Sequence, residues 1–127
     1  MNRRDFLVKT ATVGGIALPF SGFLAHNPVK EKLGVALVGL GYYSTDILAP
    51  SLQLTKNCYL AGIVTGSPDK AEIWKKKYNI PAKNVYNYQN FDQIANNPDI
   101  DVVYVVLPPS MHREFTVRAA NAKKHVF

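Results

Sequence analysis

Leu33-Gly34-Val35-Ala36-Leu37-Val38-Gly39-Leu40-Gly41-Tyr42-Tyr43-Ser44 is the stretch that decides how this chain folds. Residues 33–38 form a nearly continuous apolar run, as a parallel strand covered on both faces requires. The run stops at Gly39, and a helical stretch follows from about Thr45 to Thr55, with Ser44 as its cap and Pro50 as an interruption. A Gly-x-Gly turn set between a buried strand and a helix is informative in a way that a bare glycine pattern is not. Gly39 permits the tight turn, Gly41 lets a ligand approach the backbone where a Cβ would collide, and Ser44 replaces the usual third small residue at the helix–strand contact. The helix start offers unpaired N–H groups and a partial positive charge, so Gly39, Leu40 and Gly41 predict a dinucleotide diphosphate there. The bland reading is a glycine turn that only packs a helix on a sheet.

Downstream, strand and helix signals alternate. Tyr59 to Thr65 reads as a second strand closed by Gly66. Ser67-Pro68 then opens a helix with a capping residue followed by Pro at the first helical position. Ala71, Trp74 and Tyr78 give that helix a buried stripe, and Lys75, Lys76 and Lys77 a solvated face. Val85 to Tyr88 is a short third strand, and Phe91, Ile94 and Ala95 mark a short helix stopped near Asn97-Pro98. Asp101 to Leu107 is the strongest strand signal. Pro108-Pro109 breaks it, Ser110 caps a helix to about Ala122, and His125-Val126-Phe127 begins one more strand. This order predicts an α/β fold, a Rossmann-type doubly wound parallel sheet with right-handed crossovers.

The identity of the dinucleotide is read at the end of the second strand, where NAD binders place Asp or Glu about 20 residues on from the glycines. Here that position reads Thr65-Gly66-Ser67. The hydroxyls of Thr65 and Ser67 can donate to a 2′-phosphate and Lys70 supplies charge, so NADP is favoured over NAD. Asp69 competes for a ribose role, although at the second helical position it serves the helix dipole. Leu107, Pro108 and Pro109 end the strand at the carboxyl edge, beside the nicotinamide half, with His112 on the next helical turn. His112 is read either as a weak catalytic candidate or as structural. Tyr42 and Tyr43 either flank the cofactor or cover the first helix.

A chain of 127 residues is sized for one domain. Its 47% hydrophobic and 19% charged residues exclude intrinsic disorder. The net charge of +6 is partly carried by Arg3, Arg4 and Lys9, and no nucleic-acid signature accompanies it, so no nucleic-acid partner is expected. The single cysteine, Cys58, excludes a disulfide framework and a cysteine metal cluster; it reads as a buried structural thiol. Residues 1–25 form a leader, a charged start and an apolar run of about 15 residues with Gly14, Gly15, Pro19 and Gly22, too short and glycine-rich for a comfortable membrane span. Arg3-Arg4-Asp5-Phe6-Leu7 with Lys9 resembles a bacterial twin-arginine export signal, which carries folded proteins out and implies the export machinery as a partner. Phe23-Leu24-Ala25 departs from Ala-x-Ala, so cleavage and retention as an anchor both stand. Residues 26–32 read as a linker, and residues 33–127 as the dinucleotide-binding domain.

Residues 33–127 resemble the N-terminal domain of the Gfo/Idh/MocA oxidoreductases, nearest to their glucose-fructose oxidoreductase branch. The resemblance is carried by Gly39-Leu40-Gly41-Tyr42-Tyr43-Ser44, by Val64-Thr65-Gly66-Ser67-Pro68-Asp69-Lys70-Ala71, by Val85-Tyr86-Asn87-Tyr88 and Phe91-Asp92-Gln93-Ile94, and by Val103-Tyr104-Val105-Val106-Leu107-Pro108, His112-Arg113-Glu114-Phe115 and Lys124-His125-Val126. It implies an NADP-dependent exchange of hydride with a sugar or polyol, in a periplasmic protein that holds its cofactor tightly. By the resemblance, Gly39, Gly41, Thr65, Gly66, Ser67 and Lys70 bind the diphosphate and 2′-phosphate side, and Leu107, Pro108 and His112 line the nicotinamide side. Pro109 stands where the family usually has Asn. The family continues into a Glu-Lys-Pro motif with the catalytic lysine and then a β-rich substrate domain, whereas this sequence ends at Phe127; the chain is therefore expected to bind cofactor without catalysing alone. The alternative from another class is a stand-alone exported nucleotide-binding or interaction module. The short edge at the last strand invites association, so a homo-oligomer is a further expectation.

Overall fold

The computed structural model describes residues 29–127. The leader with its arginine pair, and residues 26–28 of the expected linker, lie outside the described residues. Five parallel strands form one sheet in the order β3-β2-β1-β4-β5: β1 is Leu33–Val38, β2 Cys58–Val64, β3 Val85–Tyr86, β4 Val102–Val105 and β5 His125–Val126. Helix α1 begins as a π-helical segment, Tyr43–Leu48, and runs without a break into α-helical Ala49–Leu54. Helices α2, Pro68–Lys77, and α3, Pro109–Asn121, follow β2 and β4, and 3₁₀ turns at Ala82–Asn84 and Phe91–Asn96 flank β3.

The continuous apolar character of β1 is explained by cover on both faces. Val35 and Leu37 pack with Leu60, Ile63, Ala49 and Trp74. Ala36 and Val38 pack on the other face with Val64, Val103, Phe91, Phe115 and Ala119. The winding is thus the doubly wound arrangement that the alternating signals imply.

Local expectations differ from the structure at several points, each with a physical reason. Ser44 does not cap α1; it lies inside the helix, because the turn starts two residues sooner, and Pro50 sits at the start of the α-helical half. Ser67 caps α2 as expected, accepting from the Lys70 N–H at 3.4 Å. Ser110 does not cap α3: Pro108 is the capping position and Pro109 the first helical residue, a place where its missing N–H has no acceptor to lose. β3 stops at Tyr86 rather than Tyr88 because Asn87 and Asn90 take each other's backbone N–H on their side-chain oxygens, both at 2.8 Å. Cys58 is half-buried at the start of β2 rather than enclosed. The end of the expected linker is tied down, since Lys30 Nζ reaches Asp101 Oδ1 at 2.9 Å and the Pro98 carbonyl.

The amino-terminal ends of the strands are held by a buried amide network. Asn97 Nδ2 donates to Asn84 Oδ1 at 2.7 Å and to the Tyr86 hydroxyl at 2.8 Å, while Asn84 Nδ2 donates to the Ala61 carbonyl at 2.8 Å and to Asp99 Oδ2 at 3.2 Å. Replacing Asn97 by Ala leaves the Asn84 oxygen without its donor, and the expected loss is about 2 kcal/mol, read as a lower urea midpoint at unchanged m-value. Hydrogen bonds from Lys83 and Asn84 hold the Asp99 carboxyl below the usual carboxylate range. Because the folded state favours the ionised form, this stabilisation is present above the ordinary carboxylate pKa, about 3.9, and disappears as pH falls through the folded value. Asp99→Asn is expected to flatten the loss of stability between roughly pH 5 and 3; melting curves that fall in parallel with the wild type would contradict this.

Candidate functional site

The carboxyl ends of β1, β2 and β4 meet at a groove of about 340 Å³. Gly39, Leu40, Gly41, Thr65, Gly66, Ser67, Lys70, Leu107 and Pro108 line it, joined by Tyr88 and Val106. Residues separated by up to 69 positions in sequence are brought to one edge because the strands are parallel and the chain reverses direction across β1, the place where such sheets open a crevice.

The glycine turn is fixed from three sides. The Gly39 N–H donates to the Val64 carbonyl at 2.9 Å, and the Ser44 hydroxyl donates to the Gly39 carbonyl at 2.6 Å. Gly39 has φ +95°, and a Cβ there would run into the Val106 carbonyl oxygen. Gly41 differs in kind: a Cβ built on it meets nothing within 4 Å. Its lack of a side chain is not needed for packing, and it leaves the groove open at the start of α1. The first helical bond on this turn runs from Thr45 N–H to the Gly41 carbonyl at 2.9 Å. The amides before it have no helical acceptor and face the region where an anion is stabilised. This cradle fits a diphosphate.

At the other wall, Thr65 is buried, donates its N–H to the Tyr86 carbonyl at 3.1 Å, and accepts from the Ser67 N–H at 3.2 Å. The Ser67 oxygen accepts from the backbone of Lys70, which leaves its hydroxyl proton free to donate outward. Lys70 Nζ lies 3.4 Å from the Leu40 carbonyl, so the ammonium spans from α2 to the glycine turn. Among the described residues no Asp or Glu lines this groove; Asp69 is exposed and stands outside it.

Besides Asp69, four residues singled out as cofactor-binding candidates do not line the groove. Tyr42 is 75% exposed and borders a neighbouring cleft with Thr45, Asp46, Ile73 and Trp74, which shares Leu40, Gly41 and Lys70 with the groove. Tyr43 neighbours Tyr104 on β4, and burial together with this neighbour raises the Tyr104 pKa. Pro109 begins α3 instead of facing the groove. His112 Nε2 bonds the Leu107 carbonyl, an arrangement in which the ring fixes the strand-to-helix turn from outside. Tyr88 and Val106 are the groove residues that sequence reasoning missed. Val106 directly follows β4 and Tyr88 lies two residues beyond β3, and a place just past the carboxyl end of a parallel strand is the signal that could have found them.

Residues 33–127 match the Gfo/Idh/MocA oxidoreductases, over the part described as an NAD-binding Rossmann fold. The fold is similar to that of an aldose-aldose oxidoreductase from Caulobacter crescentus complexed with glycerol, at 48% identity and TM-score 0.74 over 75% of this chain and 28% of that one. It is also similar to a 3-ketoreductase from Actinomadura kijaniata in complex with TDP-benzene and NADP, at 25% identity and TM-score 0.65 over 76% and 29% of the two chains. A scyllo-inositol dehydrogenase from Lactobacillus casei with bound NAD(H) and scyllo-inositol matches at 27% identity and TM-score 0.63 over 76% and 27%. The chain therefore spans little more than a quarter of the length of the proteins it matches. It belongs to the Gfo/Idh/MocA oxidoreductase family, and residues 33–127 are a nucleotide-binding Rossmann domain of that family.

The two glycines should separate packing from ligand space when each is replaced by Ala. Gly39→Ala meets both positive φ and the Val106 carbonyl and is expected to lose about 2 kcal/mol or more, whereas Gly41→Ala is expected to stay within about 0.5 kcal/mol of wild type. Equal melting temperatures for the two variants would contradict this assignment.

Proposed function

We propose that residues 33–127 hold NADP for an exchange of hydride with a sugar or polyol, in a protein exported by the twin-arginine route. The observation that carries the choice of NADP is the pairing of a free Ser67 hydroxyl with the Lys70 ammonium at a groove wall that has no carboxylate. An acidic residue at this wall would hold ribose hydroxyls and repel a 2′-phosphate; a hydroxyl and a cation do the reverse.

In this reading the open side of Gly41 admits the diphosphate, which the first amides of α1 hold. Ser67 and Lys70 take the 2′-phosphate, with Thr65 shaping the turn from beneath through its bond with the Ser67 amide. Leu107 and Pro108 flank the nicotinamide side, and His112 acts by fixing the Leu107 carbonyl. When bound, the nicotinamide supplies or accepts the hydride. A carbohydrate partner is favoured by the similarity to an aldose-aldose oxidoreductase at 48% identity and to a scyllo-inositol dehydrogenase. Arg3-Arg4-Asp5-Phe6-Leu7 supports export to the periplasm, a route that suits a protein loaded with its cofactor before it leaves the cytoplasm.

Titration of the full chain with NADP and NAD tests the choice. Trp74, which lines the cleft next to Lys70, serves as the fluorescent reporter. NADP is expected to bind at least about tenfold more tightly than NAD, a difference of roughly 1.4 kcal/mol, and Lys70→Ala to remove most of that preference while leaving NAD affinity nearly unchanged. Equal affinities in the wild type would overturn the NADP assignment.

A further inference from the structure

Resting on that dinucleotide reading, we propose that Pro50 is a positioning residue: it holds the first half of α1 in its π register and so aims the diphosphate-binding amides. Pro50 is exposed and does not line the groove, so any effect on binding is transmitted through the helix.

Ser44 and Ala49 are both fully buried although they are five residues apart. In an α-helix, residues five apart stand about 140° apart around the axis and cannot both face one sheet. Here the Ala49 N–H donates to the Ser44 carbonyl, an i→i+5 bond that brings the two to the same side. Each is anchored: Ser44 by its hydroxyl on the Gly39 carbonyl, and Ala49 among Val35, Leu37 and Leu40. The segment between them therefore carries one residue more than an α turn can absorb. An α register would have to release one anchor. If Ala49 stayed, Ser44 would rotate away from Gly39, and the amides of Tyr42 and Tyr43 would turn with it.

Pro50 weights the balance against that outcome. It has no N–H to complete an α-helical bond to the Asp46 carbonyl, and its ring collides with the oxygen four residues back in regular helix. The π turn avoids the collision and forfeits no bond that Pro50 could have made.

The test uses the full chain, with NADP and NAD as probes. Pro50→Ala is expected to weaken both by the same factor, about fivefold, the effect of one weakened charge-assisted hydrogen bond to the shared diphosphate. Its melting temperature should be unchanged or higher, because Ala is the better helix former. In cofactor-free protein, the NMR coupling across the Ala49 N–H to Ser44 carbonyl bond should be lost. Deleting Asp46 in the Pro50→Ala background removes the surplus residue, lets a plain α-helix bury both anchors, and should restore affinity. Pro50→Ala with wild-type affinity, or with the coupling intact, overturns the proposal, as does failure of the deletion to restore binding. A Pro50→Ala chain without a cooperative melt also overturns it, since the α register is then no alternative state. A wild type that binds neither dinucleotide overturns the dinucleotide reading and this with it; one that binds while Pro50→Ala matches it overturns this alone.

Discussion

Everything at the carboxyl edge depends on how the chain leaves β1. The Gly39 amide is held by β2 through the Val64 carbonyl, its carbonyl is held by α1 through Ser44, and the space where a Cβ would stand is taken by the backbone beyond β4. One residue thus ties together three strands and a helix. The Val106 N–H donates to the Val38 carbonyl at 2.8 Å, which carries the β1–β4 ladder up to the same turn. Leu107, Pro108, Thr65 and Lys70 are brought around one groove because these bonds leave the turn a single position.

The two ends of the sheet divide the work. At the amino-terminal ends, polar groups are spent on one another: Asn84, Asn97 and Tyr86 form one network that reaches Asp99 and the Ala61 carbonyl, and Asp101 takes both the Gly34 N–H at 2.8 Å and Lys30. At the carboxyl ends, Gly41 leaves open space, the first amides of α1 and the Ser67 hydroxyl keep donor capacity, and the Lys70 ammonium reaches only the Leu40 carbonyl, at 3.4 Å. A buried polar group without a partner is costly, so such donors persist only where solvent or a ligand can reach them. The asymmetry supports the carboxyl edge as the candidate site independently of the shape of any single cavity.

The parts legible in the sequence are those fixed by short-range chemistry. The apolar run of β1, the Ser67-Pro68 start of α2 and the glycine turn each state their structure within a few residues. The illegible parts depend on partners distant in sequence. The π turn places both Ser44 and Ala49 against the sheet, and nothing between residues 44 and 49 announces it. Tyr43 reads equally as cofactor flank or helix cover, because its neighbour Tyr104 on β4 lies 61 positions away in sequence. His112 carries the residue type of a catalytic group, and its bond to the Leu107 carbonyl is a contact that residue type alone does not announce. Ser110 looked like a cap by type, yet the two prolines before it had already set the start of α3.

The comparison with relatives sharpens what the groove can decide. One similar structure holds NADP and another NAD(H) on closely similar backbones, with TM-scores of 0.65 and 0.63 to this chain. The fold therefore cannot be what distinguishes a 2′-phosphate from a free ribose hydroxyl. In the proposed reading, selection falls to the few side chains that follow β2, where an acidic residue and a cation favour opposite ligands. Here those side chains hang from a turn whose shape is set by the buried Thr65 and by the cap of α2. The structural role of Ser67 as a helix cap and its outward hydroxyl use different parts of one group, its oxygen lone pair and its proton. A replacement by Ala would remove both at once, while Lys70 can be changed without disturbing the cap, because only its backbone N–H takes part in it. Charge and shape are thereby separable at this wall, so that under the proposed NADP reading a change at Lys70 tests the charge while the cap of α2 stays in place.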